Sequence, residues 1–210
     1  TIAWDAPGYG ESADRRGAVA HPALVVQILD ELGLKQVDLF GTSWGGVIAT
    51  VVAATRPDRV RTLVLADSTR GSGINPDKAA AMRARPSQLA NLRAVAFAAA
   101  RAPRLLAPGA DPAVAAAVQE QMARVRVPGY RAAAEFMAGA DTTDLLGRVT
   151  VPTLVLVGEH DVVTGVDESR LLAERISGAR LVIIPDAGHA ALSERPDTMA
   201  EAIVEFWGTR

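Results

Sequence analysis

Cysteine is absent from this chain, which excludes disulfides and thiolate-ligated metal sites. With no cysteine usage to read, the redox compartment stays open. Aromatic residues make up only 4% of the sequence. A core drawn from its 49% of apolar residues must therefore rest on small aliphatic side chains, alanine above all. Histidine occurs three times, at His21, His160 and His189, without H-x-x-x-H spacing, so no metal and no cofactor are expected. Neither sign of charge dominates: the net charge is −2, with acids and bases interspersed. This argues against a nucleic-acid-binding face and against an anionic membrane surface as partners. No apolar run reaches the roughly 18 residues of a membrane span, and no signal peptide opens the sequence. A cytoplasmic protein is the expectation.

The 210 residues suit one domain with room for an inserted subdomain. Ile2 to Trp4 reads as a short strand ended by the turn Pro7-Gly8-Tyr9-Gly10. Leu24, Val25, Ile28, Leu29 and Leu32 recur at helical spacing within 22–34, with Gly33 as the stop. A strand at 37–40, a buried helix at 47–54 and a strand at 60–66 follow. This β-α-β-α-β order predicts an α/β fold, a mostly parallel sheet flanked by helices. Between Ser68 and Gly147 strand signals vanish, and Ala- and Arg-rich helical segments are punctuated by prolines. The expectation is a helical cap at 68–147 inserted into a core made of 1–67 and 148–210. Strands at 153–157 and 181–184, and helices at 168–176 and 194–207, resume the rhythm. The last helix opens with a proline near its first turn.

The strongest chemical signal is Gly41-Thr42-Ser43-Trp44-Gly45-Gly46, a G-x-S-x-G sequence between a predicted strand and a predicted helix. Such a sharp turn holds a serine in a strained conformation with its hydroxyl exposed. Side chains two positions before and after Ser43 are expected to clash there. The helix N-terminus favours a developing oxyanion, and the N–H of Trp44 is its natural donor. The stretch lacks the Lys-Ser/Thr ending of a phosphate-binding loop.

A serine hydroxyl needs a base. His189, in Asp186-Ala187-Gly188-His189 after the last predicted strand, stands where open parallel sheets assemble their sites. His21 reads as a helix cap or surface residue, and His160 as a loop histidine or part of a pocket rim. The third member should orient the imidazole and stabilise its charged form. Asp161 follows the strand at 153–157 and gives the order Ser–acid–His. Asp67, at the end of the strand at 60–66, is a rival, and Glu159 a weaker one. Each also suits a solvated loop carboxylate.

Ser43, Asp161 and His189, with Trp4-Asp5-Ala6-Pro7-Gly8-Tyr9-Gly10-Glu11-Ser12 as a D-x-P-G-x-G-x-S turn, resemble the α/β-hydrolase superfamily. Within it, Val127-Pro128-Gly129-Tyr130, Ala140-Asp141 and Val151-Pro152-Thr153-Leu154 look most like the 3-oxoadipate enol-lactonase group. Trp44 departs from that group, where a smaller or more flexible residue such as Met is common. The resemblance implies strands before Trp4, and a His-Gly loop donating a second oxyanion N–H. None of these is in this sequence, which is therefore expected to be an N-terminally incomplete version of a larger protein. The alternative is a reduced fold in which the strands around Ile2 and Val37 pair directly.

The function expected is hydrolysis of a carboxylic ester or lactone through an acyl-enzyme, with the cap choosing the small-molecule substrate. C–C bond hydrolysis on the same fold, or a non-catalytic binding protein, are the alternatives. Phe97, Leu105, Leu106, Met122, Tyr130, Phe136 and Met137 are candidates for the mouth or for cap packing. Arg101, Arg104, Arg124 and Arg126 could hold a substrate carboxylate or simply be solvated. A homo-oligomer is compatible with all of this.

Overall fold

The computed structural model of the chain describes residues 1–15 and 17–208. In chain order the elements are α1 (His21–Glu31), β1 (Val37–Thr42), α2 (Trp44–Thr55) and β2 (Val60–Ala66). The helices α3 (Pro76–Arg101), α4 (Pro112–Ala123), α5 (Val127–Gly139) and α6 (Thr143–Leu146) follow. The chain closes with β3 (Thr153–Gly158), α7 (Val166–Arg175), β4 (Arg180–Ile184), α8 (Ala191–Glu194) and α9 (Pro196–Gly208). Single 3-10 turns at Pro57–Arg59 and Ala102–Leu105 join neighbouring elements.

The strands form one parallel sheet in the order β1-β2-β3-β4. Alternation along each strand divides the core in two. Leu63, Leu65 and Val155 point to one face, against Ile48, Val52 and Ala53 of α2, Leu146 of α6 and Leu172 of α7. Val64, Ala66, Leu154, Leu156 and Ile184 point to the other, against Ala191 of α8 and Met199 and Phe206 of α9. The central strands are covered on both sides, which is why β2 and β3 read as unbroken apolar runs. No helix among the described residues is long and apolar enough to cross a membrane.

Several boundaries differ from expectation for identifiable reasons. Residues 2–4 form no strand: no ladder partner lies beside them, and Ile2 is exposed. They therefore do not pair with β1, whose only neighbour among the described residues is β2. The last predicted helix, 194–207, starts two residues later, at Pro196, after a separate short helix. Arg195 leaves helical geometry (φ −136°, ψ 57°), and Pro196, with no N–H to give, starts a new helix. Glu194 thus ends α8 instead of opening α9. The 26-residue α3 is likewise two helices merged across Arg93, whose φ of 63° breaks the helical run.

Between β2 and β3 the chain is entirely helical, and both ends of this insertion are pinned together. Ser72 N–H donates to Met137 O (2.9 Å), Gly73 N–H to Ala140 O (2.8 Å) and Thr142 N–H to Arg70 O (2.9 Å). The approach demands glycine: a Cβ on Gly71 (φ +112°) would lie 2.2 Å from Ala140 O. Arg70 in turn grips Glu168 of α7 through Nε at 2.9 Å and Nη2 at 3.1 Å, tying the neck to the core.

Candidate active site

β1 ends at Thr42 and α2 begins at Trp44, so Ser43 alone makes the turn between them. Its φ of 51° and ψ of −121° lie where a side chain is rarely tolerated. Three bonds hold it there. Ser43 N–H donates to Ala66 O (2.9 Å), Gly46 N–H to Ser43 O (3.0 Å), and Ser68 Oγ to Ser43 O (3.0 Å). The predicted crowding is real on one side only. A Cβ on Gly41 would lie 2.4 Å from Gly45 O, whereas one on Gly45 would meet open space. The second crowded position is Gly46, where a Cβ would fall 2.2 Å from Ser68 Oγ. The turn folds its first helical residues over β1 and β2, so the third residue after the serine, not the second, faces the packed side.

His189 Nε2 lies 2.9 Å from Ser43 Oγ, and its Nδ1 lies 3.0 Å from Asp161 Oδ2. The three residues come from the ends of β1, β3 and β4, all at the carboxyl edge of the sheet. Asp161 also accepts from Val163 N–H (2.7 Å), Thr164 N–H (3.1 Å) and the Thr164 hydroxyl. Burial alone would raise its pKa. The bond and charge of His189, with these other donors, outweigh burial and hold it at about 2. Its oxygens are spoken for by groups that favour the anion, so it can orient a ring without taking its proton. Trp44 is the first residue of α2, where an N–H has no acceptor within the helix and is free to face an oxyanion.

The rival acids fall elsewhere. Asp67 is almost fully buried at the end of β2 with φ 46°, and its Oδ1 accepts from Gly158 N–H (2.9 Å). Its Oδ2 has no partner, and no hydrogen bond joins it to His189. Burial pushes its pKa up to about 7. Glu159 is exposed and accepts from Asp186 N–H. His160 is a loop histidine near Glu159, with Nε2 3.9 Å from the Glu159 carboxylate. Glu159, His160 and Asp186 place potential ligand atoms within 4.8 Å of one another, all three exposed, in a cluster that the sequence spacing did not reveal.

His21 corrects the reading as a cap or surface residue. It is fully buried with both ring nitrogens unpartnered, edge-on to Trp44 (5.1 Å) and Phe136 (5.3 Å). Pro22 follows it at the helix start, leaving the imidazole to pack instead of capping. The aromatic contacts continue from Trp44 to Tyr9, with ring centroids 5.7 Å apart.

One residue beside the site was not singled out by the sequence. Glu194, nearly buried, accepts from Gly188 N–H (2.7 Å) and from Ala107 N–H (2.8 Å) of the insertion. Ala190 N–H also donates to Leu105 O (2.7 Å), and a Cβ on Gly188 would lie 2.5 Å from the Leu106 carbonyl carbon. The residues on both sides of His189 are therefore clamped to the insertion. No local pattern marks such a carboxylate, although a Glu five residues after the histidine and two before a proline was available to notice.

The insertion's candidates separate by their contacts. Phe97 and Met137 are buried, and Phe136 packs against the core as well as His21. Leu105, Leu106, Met122 and Tyr130 are half-buried. Arg124 pairs with Glu120 on its own helix. Arg126 donates to Gly10 O (2.7 Å), Ser12 O (2.6 Å) and Asp14 (3.1 Å), fastening the insertion to the 5–14 turn. Arg101 and Arg104 form no ion pair among the described residues.

Comparison with known proteins bears on the family and the fold. Residues 1–196 match the family model described as alpha/beta hydrolase fold. The chain is 34% identical over 215 residues to a poly(3-hydroxyalkanoate) depolymerase of Ectopseudomonas oleovorans, covering 98% of this chain and 74% of the relative. It is 27% identical over 208 residues to 3-oxoadipate enol-lactonase 2 of Acinetobacter baylyi, covering 96% and 76%. Among solved structures, a thermophilic esterase from Thermogutta terrifontis superposes with a TM-score of 0.89 at 30% identity, covering 97% of this chain and 77% of that one.

Proposed function

The chain belongs to the α/β-hydrolase fold family, and from that premise we propose that it is a serine hydrolase cleaving a carboxylic ester or lactone, with Ser43, His189 and Asp161 as its catalytic triad. The observation that carries this reading is His189, bonded at Nε2 to Ser43 and at Nδ1 to Asp161. Ester- and lactone-cleaving relatives support the reaction class.

Ser43 Oγ attacks the carbonyl carbon while its proton passes to His189 Nε2. The carbonyl electrons move to oxygen, facing the Trp44 N–H. They return as the C–O bond to the alkoxy group breaks, and that group takes the proton from His189. In a lactone the leaving alkoxy group stays attached to the acyl chain. Water then gives a proton to His189, adds to the acyl carbon and expels Ser43 Oγ, which recovers its proton. Asp161 stays ionised throughout, as its depressed pKa allows. In this reading the insertion at 68–147 is the cap on a core of 1–67 and 148–210, a role supported by its hydrogen bonds to Glu194 and Ala190 around the His189 loop.

The test is turnover of a neutral aryl ester. The wild type should release the phenol above background. Ser43→Ala should lose about 10³-fold or more of that rate while keeping its melting temperature. Equal rates in the two proteins would remove the serine from the mechanism.

A further inference from the structure

β2 runs between β1, which leads to Ser43, and β3, which leads to Asp161. The two residues that follow β2, Asp67 and Ser68, are both buried. Asp67 is unfavourable there on two counts. Its φ of 46° lies in the left-handed region, which only glycine enters freely. Its Oδ2 is buried without a partner, and a carboxyl oxygen withdrawn from water and left unanswered disfavours the fold. Burial also pushes its pKa up; the Gly158 bond and His189 oppose that shift, while Asp161 and Glu194 add to it. A residue held against such costs is fixed by its surroundings, and such residues gather at functional sites.

Direct contacts run from this pair of residues to all three parts of the site. Toward the serine, Ser68 Oγ donates to Ser43 O (3.0 Å), and Ala66 O, just before Asp67, accepts from Ser43 N–H (2.9 Å). The serine turn thus hangs on the end of β2 by its own N–H and carbonyl. Toward the acid, Asp67 N–H donates to Leu156 O (2.8 Å), and Asp67 Oδ1 accepts from Gly158 N–H (2.9 Å). Gly158 ends β3, at the root of the loop that carries Asp161. It is also where β3 meets the histidine loop. A Cβ on Gly158 would lie 2.1 Å from Gly188 O and 2.5 Å from Ala187 O. The next two residues lace the same loops together, Glu159 N–H to Ile184 O (2.9 Å) and His160 N–H to Ala187 O (2.8 Å). Asp67 therefore grips the peptide at which the acid loop and the histidine loop touch, while Ser68 grips the serine.

We propose that Asp67, with Ser68 beside it, is a positioning residue of the triad: its carboxyl oxygen on the Gly158 N–H sets the distance between the serine turn and the two loops that bring Asp161 and His189 to it. This rests on the hydrolase reading above. Both ring nitrogens of His189 are taken, by Ser43 and Asp161, so Asp67 acts through the backbone and does not stand in for the acid. What the role requires is an acceptor oxygen at this place, whatever its charge. A small error in the spacing matters, since misplacing a reacting group by about 1 Å can cost about 10²-fold in rate.

The experiment separates the acceptor from the rest of the side chain. Asp67→Asn keeps an oxygen for Gly158 N–H, whereas Asp67→Gly removes it and suits the left-handed backbone. On a neutral aryl ester, Asp67→Gly should lose about 30-fold or more in kcat with KM changing less than about threefold, and Asp67→Asn should stay within about tenfold of the wild type. Should Asp67→Gly not fold, Ser68→Ala carries the test, with an expected fall in kcat of about threefold or more at unchanged KM. A second readout works without turnover. In Ser43→Ala, proton NMR should show the His189 Nδ1 proton far downfield, the signature of its bond to Asp161. That signal should persist when Asp67→Asn is added and be shifted or lost when Asp67→Gly is added. A kcat for folded Asp67→Gly within about threefold of the wild type, equal losses in Asp67→Gly and Asp67→Asn, or a downfield signal unmoved by Asp67→Gly overturns the proposal; so does an unchanged kcat in Ser68→Ala where that variant carries the test. A wild type that turns over no neutral ester, while the signal is present and responds to Asp67→Gly, would instead overturn the hydrolase reading and leave the positioning role standing.

Discussion

The ends of β2 and β3 lie side by side at the carboxyl edge of the sheet, and each carries a buried aspartate. Asp161, after β3, meets His189 and three further donors from Val163 and Thr164. Asp67, after β2, meets one donor, Gly158 N–H, and leaves its other oxygen unanswered. Both are out of water, so burial acts on both in the same direction. The number of donors decides the outcome: one carboxyl is held at about 2, the other pushed to about 7. Position at a strand end offers two acids; the loop that follows the strand, with its two N–H groups and a threonine hydroxyl, selects one.

The largest expected effect tests that selection. Asp161→Asn should lower kcat by about 10³–10⁴-fold, because the ring then loses the partner that fixes its tautomer and steadies its positive charge. Asp67→Asn should change kcat by less than tenfold. Comparable losses in the two variants, measured on the same aryl ester, would break the distinction.

A smaller effect is expected at Glu194, which binds the His189 loop to the helical insertion without touching either aspartate's partners. Glu194→Gln keeps one acceptor but turns an NH₂ toward a backbone N–H. It should lose about 10–100-fold in kcat, the range for a small misplacement of the base, with KM for a small acetate ester changing less than threefold. A loss confined to melting temperature, with kcat unchanged, would make the clamp purely structural.

The smallest contrast is in stability against pH, and the two aspartates have opposite signs. Asp161 has a folded pKa below its unfolded value near 3.8. Its contribution is present above that value and lost as pH falls toward 2. Asp67 has a raised folded pKa, so its protonated form supports the fold fully below about 3.8, and that support is lost as pH rises through about 7. The displacement corresponds to an order of 2–4 kcal/mol. Asp67→Asn, which is neutral at every pH, should match the wild type near pH 4 and melt at a higher temperature at pH 8. A wild type equally stable relative to this variant at both pH values would show that Asp67 ionises freely in the fold.

This comparison also marks where sequence reading stops. The parallel sheet was legible because β2 and β3 are covered on both faces and so are written as apolar runs. Ser43 and His189 were legible because a one-residue elbow and a loop after the last strand need glycine beside them. The choice between Asp67 and Asp161 was only half legible: chain order favoured Asp161, but the donor count that separates them depends on how the loop at 161–164 curls. His21 and Glu194 were out of reach for a different reason. Their partners, Trp44 and Phe136 for one, Gly188 and Ala107 for the other, include residues far away in the chain, and local composition carries no trace of them. The start of the final helix at Pro196 was written in Arg195-Pro196, since a proline starts helices more readily than it continues them.

The central claim is that Ser43 is made nucleophilic by this geometry. It is tested most directly by reacting the protein with a fluorophosphonate and mapping the adduct by mass spectrometry. The account predicts one adduct per chain, on Ser43, absent in Ser43→Ala and formed far more slowly in His189→Ala. No adduct on the folded wild type, or labelling of Ser43 at the same rate without His189, would contradict it.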